Sequence, residues 1–200
     1  MLEYVLTDEG SDIIREDLCK RLSEGQVGIV PTDTVYGLVC VADNEEGRRR
    51  ICEMKKRDGN KPMQYLLSNL DNCAWLDVEL TDELRKIADA FWPGPLTLVV
   101  TNTEGKYVGI RVPGNDFICS LISDIGKPLT ATSANLSGHD PLESLEQRFS
   151  DLEGEPDFAL LAGYRDLPSS TVARLHTNGE LEILREGDIT EEKIREVLDK

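Results

Sequence analysis

Histidine is almost absent: His139 and His176 are the only imidazoles in 200 residues. That excludes a multi-histidine metal centre, and neither residue stands in the setting of a catalytic nucleophile or its base. The cysteines, Cys19, Cys40, Cys52, Cys73 and Cys119, are odd in number and never two residues apart. They suit neither a zinc ribbon nor a disulfide framework, and a reducing cytoplasm fits best. No run of about 18 apolar residues exists to span a bilayer, and the start Met1-Leu2-Glu3-Tyr4 lacks the order of a signal peptide. Two phosphate-binding signatures, GxxxxGK[ST] and a GxGxxG after a strand, are also missing, so any nucleotide must be held another way. Positive charge is scarce, with 22 Lys and Arg against 38 Asp and Glu and a net charge of −16. Such a field repels phosphate backbones unless the cations are gathered locally, which disfavours general nucleic-acid binding.

What remains is enough for one domain. A hydrophobic fraction of 40% can close a single core at this length, and residues 1–200 are expected to form one unit. Helical periodicity predicts helices over Ser11–Glu24, about Glu45–Lys56, about Asp82–Trp92 with Thr81 as N-cap, a segment around Phe117–Ile125, and Glu191–Leu198 capped by Thr190. Apolar or β-branched runs predict strands at Val27–Val30, Tyr65–Leu67, Leu96–Thr101, Val108–Val112, Pro128–Thr132, Phe158–Leu161, Ser170–Leu175 and Leu181–Leu184. Helices and strands alternate, and two closely spaced strand pairs can run antiparallel. The expected fold is therefore a layered α/β domain with a mixed sheet.

Polar groups gather where these strands end. Pro31-Thr32-Asp33-Thr34-Val35-Tyr36-Gly37-Leu38 offers hydroxyls and amides at a strand terminus, although a capped strand-to-strand connection, built of ordinary turn residues, is the favoured reading of this stretch taken alone. Lys55-Lys56-Arg57, followed by Lys61-Pro62, inverts the local charge; it is either a solvated helix end or an anion clamp. Arg111 stands alone in the apolar strand Gly109-Ile110-Arg111-Val112-Pro113 and, if buried, needs a carboxylate or a ligand. The loop Thr132-Ser133-Ala134-Asn135-Leu136-Ser137-Gly138 can cap a helix or cradle phosphate oxygens. Ser169-Ser170-Thr171-Val172 and Leu184-Arg185-Glu186-Gly187 repeat the theme.

The order PTDTVYGL, KKRDGNKP, WPGPLT, GIRVP, TSANLSG, SSTV, LREG closely resembles the YrdC-like family of threonylcarbamoyl-AMP synthases, from about Ser11 to Gly187. The resemblance implies a twisted open mixed sheet with flanking helices and a basic concave cleft. It implies a cytoplasmic nucleotidyltransferase that joins L-threonine, bicarbonate or CO2, and ATP into threonylcarbamoyl-AMP and pyrophosphate. Mg2+ would accompany the ATP, and the product would pass to a tRNA threonylcarbamoyl-transfer complex. By motif, Thr34, Arg111 and Thr171 would hold threonine, with Leu66 and Ala131 offering nearby main-chain or wall contacts. Arg57, Lys61, Ser133, Asn135 and Arg185 would contact ATP, with Pro141 at the edge; Lys55 and Arg57 would be catalytic. No metal-ligand set is implied. The chain departs from the family in the short Asn102–Tyr107 connection and in Tyr107, which stands where threonine is common. A YrdC-like RNA-binding protein, or another carbamoyl-transfer protein, is the alternative.

Overall fold

In the computed structural model, residues 1–7, 10–59, 62–140, 148–163 and 169–199 are described. Ten strands form one mixed sheet. In chain order they are β1 (Leu2–Val5), β2 (Gly28–Val30), β3 (Gly37–Val41), β4 (Gln64–Leu66), β5 (Leu96–Thr101), β6 (Tyr107–Arg111), β7 (Leu129–Ser133), β8 (Phe158–Leu161), β9 (Thr171–Leu175) and β10 (Leu181–Arg185). The described helices are α1 (Ser11–Ser23), α2 (Glu45–Met54), α3 (Asp82–Phe91), α4 (Asp116–Ile125) and α5 (Glu191–Leu198), with a 3-10 turn at Leu70–Leu76. The spatial strand order is β1-β8-β2-β3-β7-β4-β6-β5-β9-β10. Both expected hairpins, β5–β6 and β9–β10, pair antiparallel. Two strands went unpredicted: the exposed edge strand β1, and β3, which follows the PTDTVY turn.

The helices start where side chains satisfy their free amides. Asn44, Thr81, Asn115 and Thr190 each accept a hydrogen bond from a first-turn N–H, a contribution of roughly 1 kcal/mol apiece. Alternation along the strands then decides what each sheet face carries. On one face, α3 and α5 bury Leu84, Ile87 and Ile194 against Leu98, Ile110 and Ala173, and α2 packs Ile51 and Met54 against Leu38 and Cys40. On the other, α1 and α4 cover only the first half of the sheet, through Leu18, Leu22, Leu121 and Ile122 against Val39 and Leu129. Past β7 that second face carries Gln64, Val99, Gly109 and Arg174, which the pairing register places in one row. No described helix of the core clusters covers this half, and a cleft opens there.

Candidate active site

The cleft has a volume of about 330 Å³. The turn after β2, the approach to β4, the end of β7, the segment before β9 and Arg185 on β10 all contribute walls. Among the described residues lining it are three guanidinium groups, those of Arg57, Arg111 and Arg185, and no carboxylate.

Arg111 organises the deep end. It is 1% exposed, yet its Nε donates to the Gly94 carbonyl at 2.9 Å, Nη1 to the Thr34 hydroxyl at 3.0 Å and Nη2 to Asp33 at 2.6 Å. A desolvated guanidinium persists only with such partners, because an uncompensated buried charge costs several kcal/mol. The Thr32 hydroxyl donates to the Val35 carbonyl at 2.7 Å, accepts from the Thr34 amide at 3.1 Å and lies 3.0 Å from the Thr34 hydroxyl. The Thr32–Thr34 turn is thus folded on its own hydroxyls and clamped to β6 by Arg111. Three of the five N–H donors of Arg111 are spent on the protein in this way.

A second polar group bridges β4, β5 and β9. The Thr97 hydroxyl donates to the Gln64 side-chain carbonyl at 2.8 Å and lies 3.1 Å from the Ser170 hydroxyl. Arg185 donates to the Ser170 carbonyl from Nε at 3.1 Å and from Nη2 at 2.8 Å. Burial first, and the charge of Arg111 second, hold the Arg185 guanidinium below its ordinary pKa. An anion bound between the two cations would relieve that repulsion.

The three consecutive cations at the end of α2 do not act together. Lys56 takes a left-handed backbone, φ 48, and pairs with Glu153 at 2.5 Å on the surface. Arg57 turns into the cleft, where Nη2 donates to the Pro62 carbonyl at 2.8 Å and the buried Nε has no hydrogen-bond partner. Lys55 turns inward instead. It is 2% exposed, and its ammonium donates to the carbonyls of Ser133 and Asn135 and, at 3.3 Å, to the Asn135 side chain. Burial, then the nearby charge of Arg57, lowers its pKa to about 8, with Asp151 opposing.

Of the expected site residues, Thr34, Arg57, Arg111, Ala131, Ser133 and Arg185 line the cleft. Four others do not line it. Lys55 faces the back of the Ser133–Asn135 loop, so it positions that loop rather than presenting charge to the cleft. Asn135 is spent within the same loop, donating to the carbonyls of Leu136 and His139 at 3.0 and 2.6 Å. Leu66 is fully buried in the α1–α4 core. The Thr171 hydroxyl, also fully buried, donates to the Ile189 carbonyl at 2.7 Å and accepts from its amide at 3.0 Å; one position earlier, Ser170 faces the cleft in its place. Lys61 and Pro141 lie outside the described residues. Gln64, Thr97 and Ser170 had not been singled out, though Thr97 and Ser170 sit inside the WPGPLT and SSTV motifs.

An open mixed sheet that gathers arginines and hydroxyls into one cleft on its uncovered face defines the class, an α/β domain with a polar cleft. The chain belongs to the Sua5/YciO/YrdC family, whose model, described as "Telomere recombination", matches residues 20–187. A threonylcarbamoyl-AMP synthase of Yersinia enterocolitica is 33% identical over 165 residues, 76% of this chain and 87% of its own. The threonylcarbamoyl-AMP synthase of Pyrococcus abyssi is 31% identical over 187 residues, 88% of this chain and 55% of its own. The crystal structure of P. abyssi Sua5 complexed with L-threonine has a TM-score of 0.86 at 30% identity, covering 98% of this chain and 60% of that one. The present chain thus spans little more than half of the P. abyssi protein.

Proposed function

We propose that the chain is a threonylcarbamoyl-AMP synthase, a nucleotidyltransferase acting as a single YrdC-like domain in the cytoplasm. The observation that carries this reading is the joining, in one cleft, of the Arg111–Thr34 corner to a separate set of phosphate-suited groups, Arg57, Ser133 and Arg185. A family relative with the same fold is a complex with L-threonine.

In this reading threonine sits at the Arg111–Thr34 corner with Ala131 as a wall, its carboxylate meeting the guanidinium N–H groups that the protein leaves free. ATP places its phosphates toward Arg57, Ser133 and Arg185. Threonine's neutral amine attacks the carbon of CO2, formed by dehydration of bicarbonate; a C–N bond forms and one proton goes to solvent. A carbamate oxygen then attacks the α-phosphorus in line, and the bond to pyrophosphate breaks with its electron pair leaving on that group. The arginines reduce the repulsion between carbamate and triphosphate, and their preorganised donors meet charge as it develops on the phosphoryl oxygens. Lys55 serves by holding the Ser133 carbonyl, so that the adjoining hydroxyl keeps its place. Free carbamate loses CO2, which is why the site must hold both reactants and keep water out.

Magnesium would arrive on the nucleotide and supply charge neutralisation there. No three His, Cys, Asp or Glu side chains cluster to hold a metal among the described residues, whereas the hydroxyl of Ser133 in the cleft suits an ion carried mainly by phosphates. The adenylate would pass to a tRNA threonylcarbamoyl-transfer complex. The test is pyrophosphate release from ATP, which should require threonine and bicarbonate together; equal release without threonine would overturn the reading.

A further inference from the structure

Between its arginines the cleft has a floor that holds one side-chain amide among the described residues, that of Gln64. The reaction described above gives this amide no part. Strand pairing sets Gln64 beside Ala131 on one side and Gly109 on the other, two residues before the level of Arg111, which is about 7 Å along the strands.

The direction in which the amide points is fixed from behind. Arg185 Nη2 lies 3.1 Å from the Ser170 hydroxyl, and a guanidinium can only donate. Ser170 therefore accepts there and gives its own proton to Thr97, 3.1 Å away; Thr97 in turn donates to Gln64 Oε1 at 2.8 Å. Each hydroxyl has a single proton, so the chain runs one way, from Arg185 through Ser170 and Thr97 to Gln64. Both hydroxyl residues are buried, Thr97 at 3% and Ser170 at 2% exposure, and the members of such a chain polarise one another. With its oxygen engaged, Gln64 turns the Nε2 N–H groups to the cleft, and no described residue accepts from them. Gly109 keeps the approach open, since a Cβ there would come to 3.6 Å from the Gln64 Cα and 3.7 Å from its Cβ. A neutral donor at this place suits an anion that forms in the site. When Arg111 holds the threonine carboxylate, three bonds separate that carbon from the carbamate carbon, which brings the new group over the floor. A carboxylate in place of the amide would hold the threonine amine as ammonium, and a cation would compete with Arg111 for the threonine carboxylate; the amide does neither.

We propose that Gln64 is a further catalytic residue, whose Nε2 donates a hydrogen bond to a carbamate oxygen as negative charge develops there, and holds the carbamate while its other oxygen attacks phosphorus. Gln64 keeps its protons and forms no bond to the substrate. The proposal rests on the synthase reading above and deepens it by naming the group that recognises the intermediate, which neither threonine nor ATP contains. Thr97 and Ser170 act through Gln64 as positioning residues.

The test is pyrophosphate release by the whole chain at saturating threonine and ATP as bicarbonate is varied, together with calorimetric titration of threonine in bicarbonate-free buffer. Gln64→Leu keeps the bulk and lacks the donor, so kcat/KM for bicarbonate should fall roughly 10- to 100-fold while the threonine Kd stays within about twofold. Gln64→Glu still accepts from Thr97 but sets a carboxylate against the carbamate, and should lose on the order of 100-fold or more. Threonine alone should bind that variant at least as tightly as the parent, because the new carboxylate faces its ammonium. A role confined to supporting Thr97 would leave Gln64→Glu active, so normal turnover in that variant overturns the proposal. Unchanged bicarbonate dependence in Gln64→Leu, or a loss of turnover matched by an equal loss of threonine affinity, does the same. A parent chain that needs threonine for turnover, beside fully active Gln64 variants, keeps the synthase reading and removes the proposal; a parent chain that releases pyrophosphate equally without threonine removes both.

Discussion

Replacing Arg111 by methionine keeps the bulk of the side chain and removes its charge from a site that is 1% exposed. The loss leaves Asp33 stranded. One of its carboxylate oxygens sits 2.6 Å from Arg111, and the other is buried with no hydrogen-bond partner. Breaking one side of a buried pair costs about 3–5 kcal/mol, because the survivor keeps its desolvation penalty. For a chain of this size each kcal/mol moves the melting temperature by roughly 2–4 °C, so the variant should melt about 6–20 °C lower. The Thr34 hydroxyl and the Gly94 carbonyl lose their donor as well, which loosens the Thr32–Thr34 turn. Adding Asp33→Asn to Arg111→Met removes the stranded charge and should recover part of the loss, a non-additivity that a double-mutant cycle reads directly. Arg111→Lys keeps the charge without the fork, reaching fewer of the three acceptors, and should raise the threonine KM more than the ATP KM. Thermal unfolding of the parent, the Arg111→Met and Asp33→Asn single variants and the double variant, with both KM values for the lysine variant, is the assay. A methionine variant melting within a degree of the parent, or a double variant no better than the single one, would refute the argument that Arg111 and Asp33 form a desolvated pair.

Other expectations follow from the same geometry. Arg57→Ala removes a guanidinium whose acceptor among the described residues is the Pro62 carbonyl, so ATP binding should weaken by about 1.5–3 kcal/mol with little change in melting temperature; titration calorimetry and unfolding check the two halves. Lys55 has its pKa lowered from 10.5 to about 8 by burial. Between those values the unfolded chain binds the extra proton, so stability should rise with pH from about 8 toward 10.5, by up to about 3 kcal/mol relative to Lys55→Met. Denaturant unfolding of both chains across that range would show the gap; parallel curves would contradict it. Gly28→Ala places a Cβ 2.0 Å from the Phe158 ring, an overpacking that should cost about 1–3 kcal/mol, and Phe158→Leu in the same chain should relieve it.

The elements with local signals could be read from the sequence. Thr81 and Thr190 mark helix starts, and the hairpin of β5 and β6 lies in a β-branched run broken at Gly105. The strands that escaped lack such signals. β1 is a largely exposed edge whose partner, Phe158–Leu161, lies at the far end of the chain, and such parallel pairing leaves no mark in neighbouring residues. β3 is buried along its whole length, so it shows no alternation, and it follows directly on a turn whose polar residues drew the reading toward a loop. The site divides the same way. Arg111 could be recognised because a lone cation in an apolar strand must have a partner. Lys55 could not, since its direction depends on where α2 stops: the left-handed Lys56 sends neighbouring cations to the core, the surface and the cleft. Likewise, only the register of β9 tells that Ser170 and not Thr171 meets the cleft.

The central claim is that this chain joins threonine, CO2 and ATP in one active site. The most direct measurement is mass spectrometry of the adenylate formed when the chain is incubated with threonine, magnesium, ATP and 13C-labelled bicarbonate. The account predicts an AMP conjugate that carries threonine and is one mass unit heavier than the product from unlabelled bicarbonate, formed with an equal amount of pyrophosphate. An adenylate that carries threonine without the labelled carbon, or no adenylate while ATP is consumed, would contradict it.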